Sequence, residues 1–364
     1  MRPTYNFPVI RGIQAGHEFY LAICPLKLIP KLFVYDEEVV PAELRAQRIL
    51  NKARIPQIAN YIIDNPKEYV FSAITASIDA SVEFTPLPID QSENLIFGWL
   101  VIPMDAMIII NDGQHRRAAI EEALKARPEL ADESIAVVFF IDAGLKRSQQ
   151  MFADLNKHAV RPSQSLGVLY EHREPLAVLS RKLIQDVDIF RHMTEKEKTS
   201  ISNRSTKLFT LSGIYQATQE LLRKKNNGPI SQKEIELAIE FWNEVAKSIP
   251  EWNMALEKQI SCAVMREEYV HAHGVVLQAL GIVGAELISQ YPEEWKKRLV
   301  VLKNVNWARS NTVVWEGRAM FQGRINKGIR QVNLTANYIK GVLALPLTIE
   351  EQILEDSFLQ GHVK

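Results

Sequence analysis

With 364 residues, 47% of them hydrophobic, the chain can bury one large core or two modest ones, and two domains are expected. Its 43 basic and 43 acidic side chains cancel. That argues against a protein that coats nucleic acid non-specifically, because such binding rests on many phosphate neutralisations, and it leaves a local basic face open. Cys24 and Cys262 stand far apart, with no CxxC pair and no zinc spacing against the eight histidines, so a reduced, cytoplasmic protein without a metal site is expected. The first residues lack a signal-peptide core, and the longest apolar stretch, residues 274–288, is interrupted by Gln278 and Glu286. Neither secretion nor a membrane span is expected.

In chain order, residues 19–23 and 32–35 read as strand material. Residues 41–63 take a helical pattern broken at Arg54-Ile55-Pro56, where Pro56 is placed to start a second helix and Arg54 is either delivered to a ligand there or simply solvated. Residues 69–74, 96–102, 107–110 and 135–141 read as further strands. A mixed sheet flanked by helices accounts for them, giving an α/β domain over residues 1–165. Cys24, before Pro25 at a strand end, reads first as a small buried hydrophobe.

The apolar run 107–110 leads into Asp112-Gly113-Gln114-His115-Arg116-Arg117 and a helix through Leu124. Asp112 is expected to cap that helix, Gly113 to let the backbone approach a ligand, and the first-turn amides to present the positive end of the helix dipole. Arg116 and Arg117 add forked, permanently charged donors suited to phosphate oxygens. Arginine in a first turn opposes the dipole and so implies an anionic partner; the alternative is a capped turn whose arginines face water. Glu121 and Glu122 are read as solvated or paired with Lys125.

Asp112 to Arg116 spells the signature of the DGQHR-domain proteins, of which the DndB proteins of DNA phosphorothioation systems are members, and the resemblance runs along most of the chain. Gly113, Arg116 and Ala119 also fit the GxxRxxA nucleotide-binding pattern of the ParB/sulfiredoxin-like fold. Gln114 stands where the sulfiredoxin motif has its catalytic cysteine, so sulfinic-acid reduction is not implied. Phe152-Ala153-Asp154-Leu155-Asn156, followed by Arg161-Pro162-Ser163, resembles a segment accompanying such sites in NTP-linked defence proteins. The resemblance therefore implies a ParB/sulfiredoxin-like first domain with a phosphate or nucleotide site at Gly113, Arg116, Arg117, Asn156, Arg161 and Arg54.

Residues 166–364 read as a mainly helical domain for DNA binding or oligomerisation. Ser231 and Glu234 have capping-box spacing before an apolar-periodic helix. The polar segment 194–204 is expected as a hinge, a linker or a disordered surface loop. His271 and His273, two residues apart, would fall on different faces of a helix and do not suggest a metal pair. Between residues 303 and 340 stand Lys303, Arg309, Arg318, Arg324, Lys327, Arg330 and Lys340 against Glu316 alone. This asymmetry makes them candidate DNA contacts, unless the face docks on the acidic tail Glu350, Glu351, Glu355 and Asp356.

Two functions compete. The resemblance implies a DNA-binding transcriptional repressor of a phosphorothioation gene cluster, a homodimer on operator DNA, whose DGQHR site senses phosphate or a nucleotide. The alternative is an NTP hydrolase with Mg2+ held by Asp112 or Asp154 and water oriented by Gln114 or His115. There is no P-loop and no unambiguous general base, which leaves turnover without a positioned nucleophile.

Overall fold

The computed structural model describes residues 3–33, 51–88, 96–142, 147–157, 162–202, 204–224 and 228–362. The chain divides into two compact units, Met1–Val160 and Arg161–Lys364.

The first unit is α/β. Ala15 and Gly16, with φ of 50° and 76°, form a two-residue turn that folds β1 (Thr4–Gln14) onto β2 (His17–Pro25), Val9 opposite Ala22. The chain then enters α1 (Ile29–Leu32). Residues 32–33 were expected in a strand, but Pro30 fits the first turn of a helix and starts one; residues 34 and 35 lie outside the described residues. So does most of the expected helix before Lys52. In α2 (Ile55–Asp64), Pro56 occupies the first turn as its position suggested.

The next strand, β3 (Ile74–Asp79), starts later than expected. The amide of Tyr69 is bonded to the Asn65 carbonyl and that of Val70 to the Tyr61 hydroxyl, each at 2.9 Å, so the end of α2 takes donors that a strand would need. There follow β4 (Glu83–Pro86), β5 (Ile96–Pro103), β6 (Met107–Asp112), α3 (Gln114–Ala126), β7 (Ser134–Ile141) and α4 (Ser148–Lys157).

The sheet order is β4-β5-β1-β2-β7-β3-β6. Only β3 and β7 run parallel; the other neighbours are antiparallel. Alternate residues such as Val9, Ala22, Ile110, Val137 and Phe139 face one side and pack with Ile29 and Leu32 of α1, Ile62 of α2 and Ile120 of α3. On the other side α4 meets the β3/β6 end through a buried polar relay. Asn111 donates to the Ser77 hydroxyl at 2.7 Å and accepts from Ser148 at 3.1 Å.

The second unit is mainly helical: α5 (Gln164–Tyr170), α6 (Pro175–Asp186), α7 (Asp188–Met193), α8 (Leu211–Leu222), α9 (Gln232–Ser248), α10 (Pro250–Leu256), α11 (Cys262–Glu268), α12 (Gly274–Gln290), α13 (Trp295–Leu299), α14 (Thr312–Trp315), α15 (Ile329–Val342) and α16 (Ile349–His362). The short pairs β8 (Thr194–Glu195) with β9 (Phe209–Thr210) and β10 (Met320–Phe321) with β11 (Arg324–Ile325) interrupt the helices. The Ser231–Glu234 capping box forms at the start of α9. Helix α12 carries the core, and Gly281 lets it touch α8: a Cβ there would stand 2.1 Å from the Ala217 carbonyl oxygen.

The hinge expected at residues 194–204 is instead fastened among its described residues. Ser165 donates to the Lys198 carbonyl at 2.8 Å, and the Arg266 guanidinium to the carbonyls of Ser202 and Ser205 at 3.0 Å each. A polar segment holds position here because buried donors elsewhere need its carbonyls.

Candidate functional site

The DGQHR turn is delivered by β6, whose Ile108 and Ile110 are anchored in the core so that Asp112 emerges at the strand end. A bulge opposite, between Thr75 and Ala76 of β3, sets Asp112 beside Thr75. Gly113 then turns the chain at φ 111°, a conformation that side chains disfavour. A Cβ there would also stand 3.0 Å from Ile74 and 3.2 Å from the Arg116 guanidinium, so the glycine is required twice over.

Asp112 does not cap α3. Gly113 is the capping residue and supplies no side-chain bond, while the Asp112 carboxylate turns to the Arg116 guanidinium at 2.5 Å. An arginine one helical turn further on outcompetes the amides because its bond is charge-assisted. Arg116 also donates to the Ser72 carbonyl at 3.0 Å and to its hydroxyl. Arg117 folds over the end of α1, donating to the carbonyls of Pro30 and Phe33 at 3.1 Å each, and pairs with Glu121 at 2.7 Å. The anionic partner implied by first-turn arginines is therefore found within the chain: Asp112 for Arg116, Glu121 for Arg117. Arg117 is a tie between helices. Glu121 faces it rather than Lys125.

The first-turn amides of α3 have no carbonyl partner inside the helix and no side-chain cap, and so keep their affinity for an anion. His115 stands beside them, its Nε2 accepting from the Asn51 amide at 3.2 Å. Burial first, then the charge of Arg54, pushes its pKa below the ordinary histidine value, against an opposing pull from Asp112. Arg54, exposed at the start of α2, is thus brought within electrostatic reach of His115, 61 positions on in the sequence. Gln114 is buried, its amide near the Ile110 carbonyl at 3.4 Å. Ser72 and Asn51 carried no signal of their own in the residue pattern; they stand in the segments that lead into β3 and α2.

The described part of the second motif lies on α4 and at the start of α5. The Asp154 carboxylate accepts from Gln150 at 2.7 Å, and Ser163 caps α5 through the Leu166 amide at 3.1 Å. Asn156 lies on the last turn of α4, but its side chain, like all of Arg161, lies outside the described residues. Cys24 is fully buried, which pushes its thiol up to about 12 and leaves it a small core residue.

In the helical unit the basic segment separates into two populations. Arg318 is buried, so its expected role as a DNA contact is corrected: its guanidinium pairs with Glu355, donates to the Leu334 carbonyl at 2.9 Å and lies over Phe358 at 4.3 Å. Lys340 is likewise buried against Glu351 at 2.7 Å. The acidic tail thus takes two of the seven cations. Arg309 donates to the carbonyls of Glu267 and Gly323 at 3.1 and 2.9 Å. Lys303, Arg324, Lys327 and Arg330 remain exposed, Arg324 on a tight hairpin whose turn residues Gln322 and Gly323 have φ of 50° and 69°.

Among the described residues no helix is long and apolar enough to cross a membrane, and no group of three or more histidine, cysteine, aspartate or glutamate side chains is placed to hold a metal ion. No curated protein and no solved structure matches the chain. The sequence model of one family, described as DNA-sulfur modification-associated, matches residues 7–346, a span that runs from within β1 through the DGQHR turn and the helical unit to the end of α15. The chain belongs to the DndB family, associated with DNA sulfur modification.

Proposed function

We propose that this chain is a DNA-binding transcriptional repressor of a DNA sulfur-modification gene cluster, and that its DGQHR turn holds a phosphate group of operator DNA or of a regulatory nucleotide. The observation that carries the phosphate reading is the uncapped start of α3 behind a left-handed glycine, with His115 and Arg54 beside it. Arg116 is the group that would exchange its Asp112 carboxylate for a phosphate, which gives the turn two states. The exposed Lys303, Arg324 and Arg330 provide the sequence-independent contact to duplex phosphates. Of the two magnesium ligands of the hydrolase alternative, Asp112 is paired with Arg116 and Asp154 accepts from Gln150, and neither stands in a cluster of acidic or histidine side chains among the described residues.

The test is a salt titration of binding to operator-region and unrelated duplexes. The wild-type protein is expected to prefer its own upstream DNA. Replacing both Arg324 and Arg330 with alanine should flatten the log–log salt slope by about 2, since each neutralised phosphate contributes about 0.9. Arg116→Ala is expected to weaken operator binding, or its response to nucleotide, at least severalfold. Equal affinity for both duplexes in all three proteins, with phosphate release from NTP, would replace this reading by the hydrolase.

A further inference from the structure

The helical unit contains a cavity of about 480 Å³ unrelated to the DGQHR motif. Arg266, Arg309 and Lys327 line it, with Glu267 as the carboxylate among the lining residues. His273 also faces it and stays neutral, because burial beside the two arginines pushes its pKa down to about 4. Arg309 has an internal explanation: it satisfies carbonyls at the end of α11, where a cation suits the helix dipole.

Lys327 does not. Its ammonium donates to the neutral Gln216 amide oxygen at 2.5 Å and lies against the first turn of α12, where a Cβ on Gly274 would stand 3.2 Å from Nζ. That turn is the positive end of a 17-residue helix, and its capping residue, His273, supplies no side-chain bond. The start of α8, capped by Thr210, opens on the same cavity. A cation set against an uncapped helix N-terminus is electrostatically unfavourable until an anion stands between them. The glycine that makes room for it points the same way, since any side chain there would displace the ammonium.

Size and lining narrow the anion. The volume falls in the range of small-molecule sites, roughly 300–1,000 Å³, and a duplex cannot enter it. Its lining combines Thr199 and Ser200 with the apolar Leu208, Phe209 and Leu277. We propose that this cavity binds a small phosphorylated ligand of mononucleotide size, its phosphate held between Lys327 and the uncapped first turn of α12. An effector role for that ligand rests on the repressor reading; the site itself does not.

Calorimetric titration of the full chain with inorganic phosphate, AMP and ATP tests the site. At least one probe is expected to bind a site whose affinity falls about tenfold or more in Lys327→Glu and is partly rescued in Lys327→Arg, and this site persists in Arg116→Ala whatever that variant does to binding at the DGQHR turn. An unchanged melting temperature of Lys327→Glu and Lys327→Arg without ligand checks that the fold is intact. Binding that is lost in Arg116→Ala and kept in Lys327→Glu overturns the proposal in favour of the DGQHR turn. No binding of any probe overturns it, and so does a Lys327→Glu effect confined to DNA affinity. Repressor activity that ignores a bound ligand removes only the effector role.

Discussion

Arg318→Ala is expected to destabilise the helical unit by about 3–5 kcal/mol, while leaving the salt slope of DNA binding unchanged in whatever protein remains folded. The side chains of Arg318 and Glu355 are only 8% and 14% exposed. Removing the guanidinium strands a carboxylate that has lost its counter-charge and leaves a void beside Tyr338 and Phe358, over which the guanidinium lies. Asn337, whose amide reaches the Glu351 carbonyl at 3.0 Å, does not supply the missing charge. Urea denaturation of wild type, Arg318→Ala and the paired replacement Arg318→Met with Glu355→Leu separates the possibilities. The double variant should recover most of the loss, because a buried pair exchanged for apolar volume is often neutral or better. If Arg318→Ala proves as stable as wild type, α16 does not dock through this pair, and Arg318 returns to the list of DNA contacts.

That pair shows where sequence reading stops. A count of charges between residues 303 and 340 treats Arg318 and Arg324 alike, yet one is buried under α16 and the other stands on a hairpin in solvent. What distinguishes them is Glu355, 37 positions beyond Arg318 in α16. A signal did exist: Glu351 and Glu355 are four apart and so share a helix face, which is the acidic-tail docking weighed against a DNA face. Local pattern served well where one element decides the outcome. The apolar run at residues 107–110 and the Asp-Gly step pointed to the DGQHR turn, and the Ser231–Glu234 box to the start of α9.

It failed for β1, the strand that pairs with both β2 and β5, because Pro8 and Gly12 argue against a strand. The register resolves the conflict. Pairing with β2 begins at Val9, so Pro8 is paired only with β5, and its missing donor falls on the open side. The DGQHR arginines were legible as an electrostatic anomaly but not as a solved one. Their partners Asp112 and Glu121 are both four residues away, the spacing at which helical side chains meet, so internal pairing was available to the same reasoning that pointed to phosphate. The cavity around Lys327 was not legible at all, since its lining runs from Thr199 to Lys327 through six separate stretches of chain.

Acid sensitivity is the second large effect, and it centres on His271. The side chain is fully buried, its Nδ1 accepting from the Trp252 indole at 3.0 Å and its ring stacked on Tyr269. That acceptor role fixes the neutral tautomer with the proton on Nε2, which stands 3.7 Å from the Glu251 carboxylate, too far for a proper hydrogen bond. Burial, with His273 adding to it, pushes the pKa down to about 3 from an ordinary 6.5. The folded state therefore refuses a proton that the unfolded chain accepts. Above pH 6.5 both are neutral and stability is unaffected; as pH falls from 6.5 towards 3, about 1.4 kcal/mol is lost per pH unit, or about 3 kcal/mol by pH 4. His273, held at about 4, acts in the same direction. His271→Asn keeps an acceptor for Trp252 without a titrating ring, and its stability at pH 4 relative to pH 7 should exceed that of wild type by about 3 kcal/mol. Urea denaturation followed by tryptophan fluorescence reads this difference directly, since the carboxylates titrating in the same range are common to both proteins. Parallel pH profiles would mean that Glu251 closes on Nε2 and stabilises an imidazolium in the core.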